Sequence, residues 1–253
     1  GQLYTAKHFN GDAKKRALTV VENVRDALKE RLGEVEWMSE STRAEAMKKM
    51  SGFRVKIGFP NKWIDYTNLS VEAGKHLENV LSGRKFNLEL DMSRVNKETD
   101  RERWFMTPQT VNAYYHPSLN EIVFPAAILQ PPFFDPNADE PVNYGSLGAV
   151  VGHEMTHGFD DSGRKYDSQG TLRDWWEEVD GLEYERRVEV MVKQAEQFQV
   201  HGVSLKGKLT CGENIADLGG ITITVHEQPR GGYGKKSPEA SPYFFHPIYS
   251  DRN

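Results

Sequence analysis

His153 and His157 stand four residues apart with Glu154 between them, and these residue types at this spacing could do chemistry. On a helix such a pair projects both imidazoles from one face, one turn above the other, where they can share a metal ion. Glu154 follows the first histidine and can reach a water on that ion, which makes His-Glu-x-x-His a pattern for zinc-assisted peptide hydrolysis. Chance supplies the pentapeptide in roughly one or two per hundred chains of this composition. The pattern therefore needs a third ligand and a helix. Glu213 and Asp217, four apart in Gly212-Glu213-Asn214-Ile215-Ala216-Asp217, are the candidates. If that segment is helical, one carboxylate could be the third ligand. The second could accept a hydrogen bond from a ligand histidine's free N–H and so fix its tautomer. Considered alone, both read more simply as solvent-facing helix carboxylates.

The 253 residues suit one large domain or two small ones and are ample for a core. With 27% charged residues and a mean hydropathy of −0.66, the composition is that of a water-facing chain without an apolar run of about 18 residues. A net charge of −5 argues against a nucleic-acid surface. Cys211 is the single cysteine, so no disulfide forms within the chain, and it reads as a structural bystander. The chain opens on Gly1 and shows no signal peptide, which reads as a piece cut from a longer precursor.

Several elements must position these residues. Residues 12–32 carry an apolar stripe, Leu18, Val21, Leu28 and Leu32, with Asp12 to cap and Gly33 to stop it. A second helix is expected from Ser41 to Met50, then a short strand with Phe53, Val55, Ile57 and Phe59 alternating, then a third helix over residues 70–92. His8 and His76 read as surface polar residues. The runs Val111–Tyr115 and Glu121–Phe124 flank a Pro/Ser/Asn turn and predict a hairpin. Pro125 to Phe134 is apolar but proline-broken, either a pocket wall or plain core. Asn143 or Ser146 is expected to cap the helix with the two histidines. Gly145, Gly148 and Gly152 cost that helix roughly 1 kcal/mol each against alanine, and such glycines usually allow another backbone to pack closely. Trp175-Trp176 opens a charged helix to about Gln199, with Leu182, Val188, Met191, Val192 and Ala195 facing the core.

In these blocks the chain resembles the neprilysin and endothelin-converting-enzyme family of zinc metalloendopeptidases. The resemblance rests on Val111-Asn112-Ala113-Tyr114-Tyr115, on Ile122 to Ala126 with Ile128 to Phe134, on Gly152 to Asp161, and on Gly212 to Asp217. Gly1 to Tyr4 and Trp37-Met38 look like the family's lead-in. The likeness runs collinearly over residues 1–221.

The resemblance implies an α+β, mostly helical fold: a zincin-like catalytic lobe with a small sheet whose edge strand binds substrate. It implies a lead-in over 1–107, a catalytic core over 108–221 and a divergent tail over 222–253. It implies one Zn2+ per chain held by His153, His157 and Glu213, with Glu154 as the base acting on water. Asp217 would orient a ligand histidine and take the family's proton-transfer role, and Asp160 would back the other histidine. Asn112 and Ala113 would bind substrate backbone. Ile128, Phe133 and Val150 would line the pocket for a bulky apolar residue just after the cut. The partners implied are peptide substrates, with further segments of the same precursor or another chain. The parent protein would be membrane-anchored, and its location extracellular, periplasmic or at the cell surface.

After Ile221 the family pattern fades. His246 and Arg252 are six apart, like the family pair that supports the oxyanion, though their neighbours do not agree. An alternative is a zinc-binding but catalytically silent fragment that serves in binding or assembly. A zincin of the thermolysin type would share the mechanism but explains neither Val-Asn-Ala-Tyr nor Glu-Asn-Ile-Ala-Asp.

Overall fold

A computed structural model of the chain describes residues 1–9 and 11–226. The fold is α+β and mostly helical. The order is α1 (Gln2–His8), α2 (Gly11–Gly33), α3 (Glu40–Ser51), β1 (Arg54–Gly58), α4 (His76–Met92), β2 (Tyr114–His116), β3 (Glu121–Pro125) and α5 (Glu140–Asn143). A π-turn over Tyr144–Gly148 leads into α6 (Ala149–Thr156), followed by α7 (Glu178–Ala195), β4 (Gln199–Val200), β5 (Val203–Ser204) and α8 (Gly207–His226). His246 and Arg252 lie outside the described residues. The described residues fall into two compact units, one within 1–59 and 106–226 and the other Pro60–Phe105.

The long helix α2 forms because Ala17, Val20, Val21, Val24, Ala27, Leu28 and Leu32 recur every three or four residues, and all are buried. Leu18, expected in that stripe, is exposed, because alanines at 13, 17 and 27 supply the close face instead. This face packs against α3, α6 and α8. Helix α3 is capped by Ser39, whose hydroxyl accepts from the Thr42 amide.

The three-stranded sheet has the order β1-β3-β2, with β1 parallel and β2 antiparallel to β3. The central strand β3 is buried along its length, Glu121 included. Glu121 is tolerated there because the Lys56 ammonium on β1 meets its carboxylate at 2.8 and 2.9 Å. Removing one partner of a buried pair leaves an uncompensated charge, which typically costs about 3–5 kcal/mol. Lys56→Met is therefore expected to lower unfolding stability by about that amount in urea titrations. Adding Glu121→Leu should recover most of the loss; a double variant no more stable than the single one would refute the account.

The β2–β3 turn ends on Asn120, which sits at φ 47°, a left-handed conformation that asparagine tolerates. Its side-chain amide donates to the Lys49 and Ser168 carbonyls and its oxygen accepts from the Tyr115 hydroxyl, tying turn, helix and loop together.

In the second unit, α4 starts at His76 rather than residue 70. Gly74 adopts φ 79°, and the Asn79 side chain closes on the Glu72 backbone, so residues 70–75 form a turn before the helix. Both His8 and His76 are exposed.

Other differences from expectation have local causes. Neither Asn143 nor Ser146 caps a helix, because the helical run begins at Glu140 and both lie inside it. They pin the preceding loop instead: Asn143 exchanges two hydrogen bonds with the Asp135 backbone, and the Ser146 hydroxyl donates to the Phe133 carbonyl. On α7, Met191, Val192 and Ala195 are buried, but Leu182 is 62% exposed and Tyr184 takes the inward place. Tyr184 is held there by donating its hydroxyl to the Phe159 carbonyl at 2.9 Å.

Candidate metal centre

Helices α6 and α8 approach each other backbone to backbone. A Cβ on Gly152 would lie 2.8 Å from the Gly220 Cα, and one on Gly220 would lie 2.5 Å from the Ala149 carbonyl oxygen and 2.8 Å from the His153 amide nitrogen. Of the three glycines expected to allow such an approach, Gly152 does so against backbone and Gly148 admits the Thr224 methyl at 3.2 Å. Gly145 meets nothing within 4 Å. The crossing brings His153 and Glu154 of α6, and His157 at the start of the turn that follows, beside Glu213 and Asp217 of α8.

The two imidazoles are perpendicular with centroids 4.5 Å apart, and their Nε2 atoms are 3.0 Å from each other. The Glu213 Oε2 lies 3.3 Å from the His153 Nε2 and 3.6 Å from that of His157. Behind the rings, His153 Nδ1 is 2.8 Å from Asp217 Oδ1 and His157 Nδ1 is 2.7 Å from Asp160 Oδ2. A carboxylate can only accept, so each Nδ1 carries its proton towards its aspartate. In the neutral rings both Nε2 lone pairs then converge with a carboxylate oxygen, an arrangement that a shared cation stabilises. A tetrahedral ion with ligand bonds of about 2.0–2.1 Å needs donors roughly 3.3–3.4 Å apart. The three observed separations bracket that value, and the donor set fits a metal ion of this kind.

The field agrees. Burial disfavours a charged His157, but the Asp160 hydrogen bond and charge, helped by Glu154 and Glu213, outweigh it and raise the ring's pKa. Positive charge is favoured at this spot. The Glu154 carboxylate is buried, and an oxygen of it lies within 4.8 Å of the ring nitrogens. Burial pushes its pKa up to about 7, with His157 pulling down, Glu213 pushing up and the Tyr115 amide pulling down by a hydrogen bond. That is the range in which a carboxylate can take and return a proton near neutrality.

These side chains face a cleft of about 490 Å³, floored by His153, Glu154, His157 and Glu213 and walled by Asn112, Ala113, Tyr114 and Tyr115. Asn112 and Ala113 lie immediately before the edge strand β2 rather than within it. Ile128 is buried in the core, Phe133 and Val150 are half-buried against it, and none of the three lines this cleft. The apolar stretch 125–134 is thus core along much of its length. Glu213 and Asp217 are 70% and 72% exposed at the side chain, so the α8 side of the cluster opens to solvent. The Cys211 thiol is buried, and burial with Asp161 and Asp160 pushes its pKa up to about 11, which leaves it protonated and unreactive.

Sequence profiles of peptidase family M13 match residues 1–60 and 112–238. The chain belongs to peptidase family M13. The match runs past Ile221 to residue 238, beyond the point where the recognisable blocks end. Among curated relatives, human endothelin-converting enzyme-like 1 is 37% identical over 232 residues, which cover 89% of this chain and 30% of that protein. Neprilysin-3 of Drosophila melanogaster is 37% identical over 237 residues, 91% of this chain and 30% of its own length. The M13 chain therefore spans about three-tenths of the length of these relatives. Among solved structures, the zinc metalloprotease ZMP1 of Mycobacterium tuberculosis, in complex with an inhibitor, superposes with a TM-score of 0.86 at 45% identity, covering 89% of this chain and 35% of that one. PepO of Lactobacillus rhamnosis HN001 does so with a TM-score of 0.83 at 32% identity, covering 88% and 36%. The zincin-like fold of this M13 chain is thus shared with solved metalloproteases.

Residues that the motifs did not single out also shape the site. Tyr115 contributes its main-chain amide to Glu154, which no side-chain pattern can announce. Gly163 lies so close under the His157 carbonyl that a Cβ there would sit 1.8 Å from its oxygen. In the sequence Gly163 is marked only by its place in the run Asp160-Asp161-Ser162-Gly163, whose residue types suit a loop.

Proposed function

We propose that this chain is the catalytic part of a zinc-dependent endopeptidase that cleaves short peptides on the amino side of hydrophobic residues. The observation that carries the reading is the triangle of His153 Nε2, His157 Nε2 and Glu213 Oε2, with an aspartate behind each ring. These three residues would hold one zinc ion per chain. Bound zinc supplies Lewis acidity, lowering the pKa of water towards about 7 and polarising a peptide carbonyl.

The chain's own residues do the rest. Glu154 takes the proton of the attacking water and passes it to the leaving amine, so no serine or cysteine nucleophile is required. Asp217 and Asp160 keep the protons of His153 and His157 on Nδ1 and hold the rings in place; in this family's pattern Asp217 also serves proton transfer. Asn112 and Ala113 border the cleft beside the edge strand, where an extended peptide can add to the sheet. The apolar preference rests on the family resemblance at Ile128, Phe133 and Val150 alone, since none of the three lines the cleft, although Phe133 and Val150 reach the surface in part. Among the described residues no helix is long and apolar enough to cross a membrane. An extracellular, periplasmic or cell-surface setting follows from the resemblance alone.

Metal analysis of the purified chain should give close to one zinc per chain. A quenched fluorogenic peptide should be cut before its apolar residue, and a chelator should abolish the cutting, with activity restored by added zinc. Full zinc content without turnover would reject catalysis by this chain and favour the binding role. Failure to take up zinc would reject the site.

A further inference from the structure

Lys49 is among the largest fully buried side chains of the described residues, at 0% exposure. It lies on α3, a helix whose other basic residues give no reason to expect a buried ammonium. Its Nζ donates to the Gly163 carbonyl at 2.7 Å and to the Tyr166 carbonyl at 2.6 Å. The rings of Phe159, Tyr115 and Trp175 surround it at 5.6, 5.9 and 5.9 Å, close enough for cation–π attraction.

The grip continues towards the cluster. Gly163, held through its carbonyl, donates its own amide to Asp160 Oδ1 at 2.5 Å, and the Ser162 amide donates to the same oxygen at 2.9 Å. The other Asp160 oxygen is the one 2.7 Å from His157 Nδ1. A single relay of donors and acceptors therefore runs from Lys49 through Gly163 and Asp160 to His157. The ring cage adds a second route, since Tyr115 both flanks the ammonium and gives its amide to Glu154.

We infer that Lys49 is a positioning residue for the metal centre: by holding the Gly163 main chain, whose carbonyl it binds and whose amide binds Asp160, it fixes Asp160, and through Asp160 the orientation of the His157 ring. This deepens the zinc-peptidase reading and rests on it. Desolvating an ammonium is costly, and burial lowers the Lys49 pKa to about 7 against the raising pull of Asp160 and Asp167. A buried methionine would fill the same volume without that cost, so ordinary core packing does not account for a lysine here. What the ammonium adds is two donors aimed at the loop that presents Asp160.

The test is a double-mutant cycle on zinc affinity, read by competition with a chromophoric chelator on the full chain. Outer-shell partners of metal-bound histidines typically contribute about 10–100-fold in affinity. Lys49→Met is expected to weaken zinc binding by about 10-fold in the wild-type background. In an Asp160→Asn background the same substitution should change affinity by less than about 2-fold, because the relay is already cut. In an Asp217→Asn background, where the other histidine is loosened, the loss of about 10-fold should return. If Lys49→Met does not fold, Lys49→Gln takes its place in the cycle. Unchanged affinity, or equal losses in the two aspartate backgrounds, would overturn the proposal and leave Lys49 as a purely structural residue. A wild-type chain that binds no zinc would sink the peptidase reading itself, and this one with it; a wild-type chain that binds zinc as tightly as Lys49→Met sinks only the role of Lys49.

Discussion

Glu154→Gln is expected to lower kcat/KM for a short apolar peptide by about 10²–10⁴-fold while leaving zinc content unchanged. Glutamine keeps the size and shape of the buried side chain, so the α6 helix and the two histidine rings should stay where they are. It cannot take a proton from water, and it removes the negative charge that helps favour a cation at His157. The second effect is small beside the first, because Glu213 and Asp160 supply the same field from other directions. Parallel measurement of zinc content and turnover separates the outcomes. Turnover lost with zinc retained marks Glu154 as the base. Turnover and zinc lost together would make it a structural partner of the site, and unchanged turnover would remove it from the mechanism.

A methyl group on Gly220 should do comparable damage from a position that touches no substrate. The new Cβ of Gly220→Ala would meet the Ala149 carbonyl oxygen at 2.5 Å and the His153 amide nitrogen at 2.8 Å, both main-chain atoms of α6 that cannot swing aside. The helices must separate or rotate. Either movement pulls Glu213 and Asp217 away from His153, whose partners are now 3.3 and 2.8 Å off. Metal sites tolerate errors of about 0.2 Å in ligand distance. Zinc affinity is expected to fall by at least about 10-fold, and stability by roughly 1–3 kcal/mol from overpacking. Gly145→Ala is the control, since a Cβ there meets nothing within 4 Å. It should leave zinc affinity unchanged and cost nothing in stability, because alanine is the better helix former by about 1 kcal/mol. Equal behaviour of the two variants in zinc titration and thermal melting would refute the close-contact account.

How far the sequence could be read depended on how local each cause was. The two histidines and Glu154 announce themselves because a helical turn alone sets their spacing. Glu213 and Asp217 were visible as a pair on one helix face, and the family resemblance joined them to the histidines, but spacing along the chain did not show that Asp217 backs His153 rather than His157. That pairing depends on Gly152 and Gly220 letting two helices touch, and these lie 68 residues apart in the chain. The stripe of α2 was legible in outline and misjudged at Leu18, as was that of α7 at Leu182. Periodicity names the face of a helix, while the neighbours decide where on that face burial stops. The caps expected at Asn143 and Ser146 failed for a related reason: both side chains found better acceptors and donors in the loop 133–135, contacts that only the fold supplies.

By itself, then, the sequence determined the chemistry on offer: two imidazoles at helical spacing, a glutamate placed to serve them, two carboxylates four apart and a family likeness that orders these blocks. The tertiary structure decided which carboxylate oxygen faces the Nε2 atoms, which aspartate backs which ring, and that Tyr115 lends Glu154 its amide. It also decided that Lys49, in sequence one more basic residue of a surface-like helix, is buried beneath the loop that carries Asp160. Spacing along a chain specifies directions within one helix, whereas distances of about 3 Å between helices come from how glycines, rings and buried charges pack.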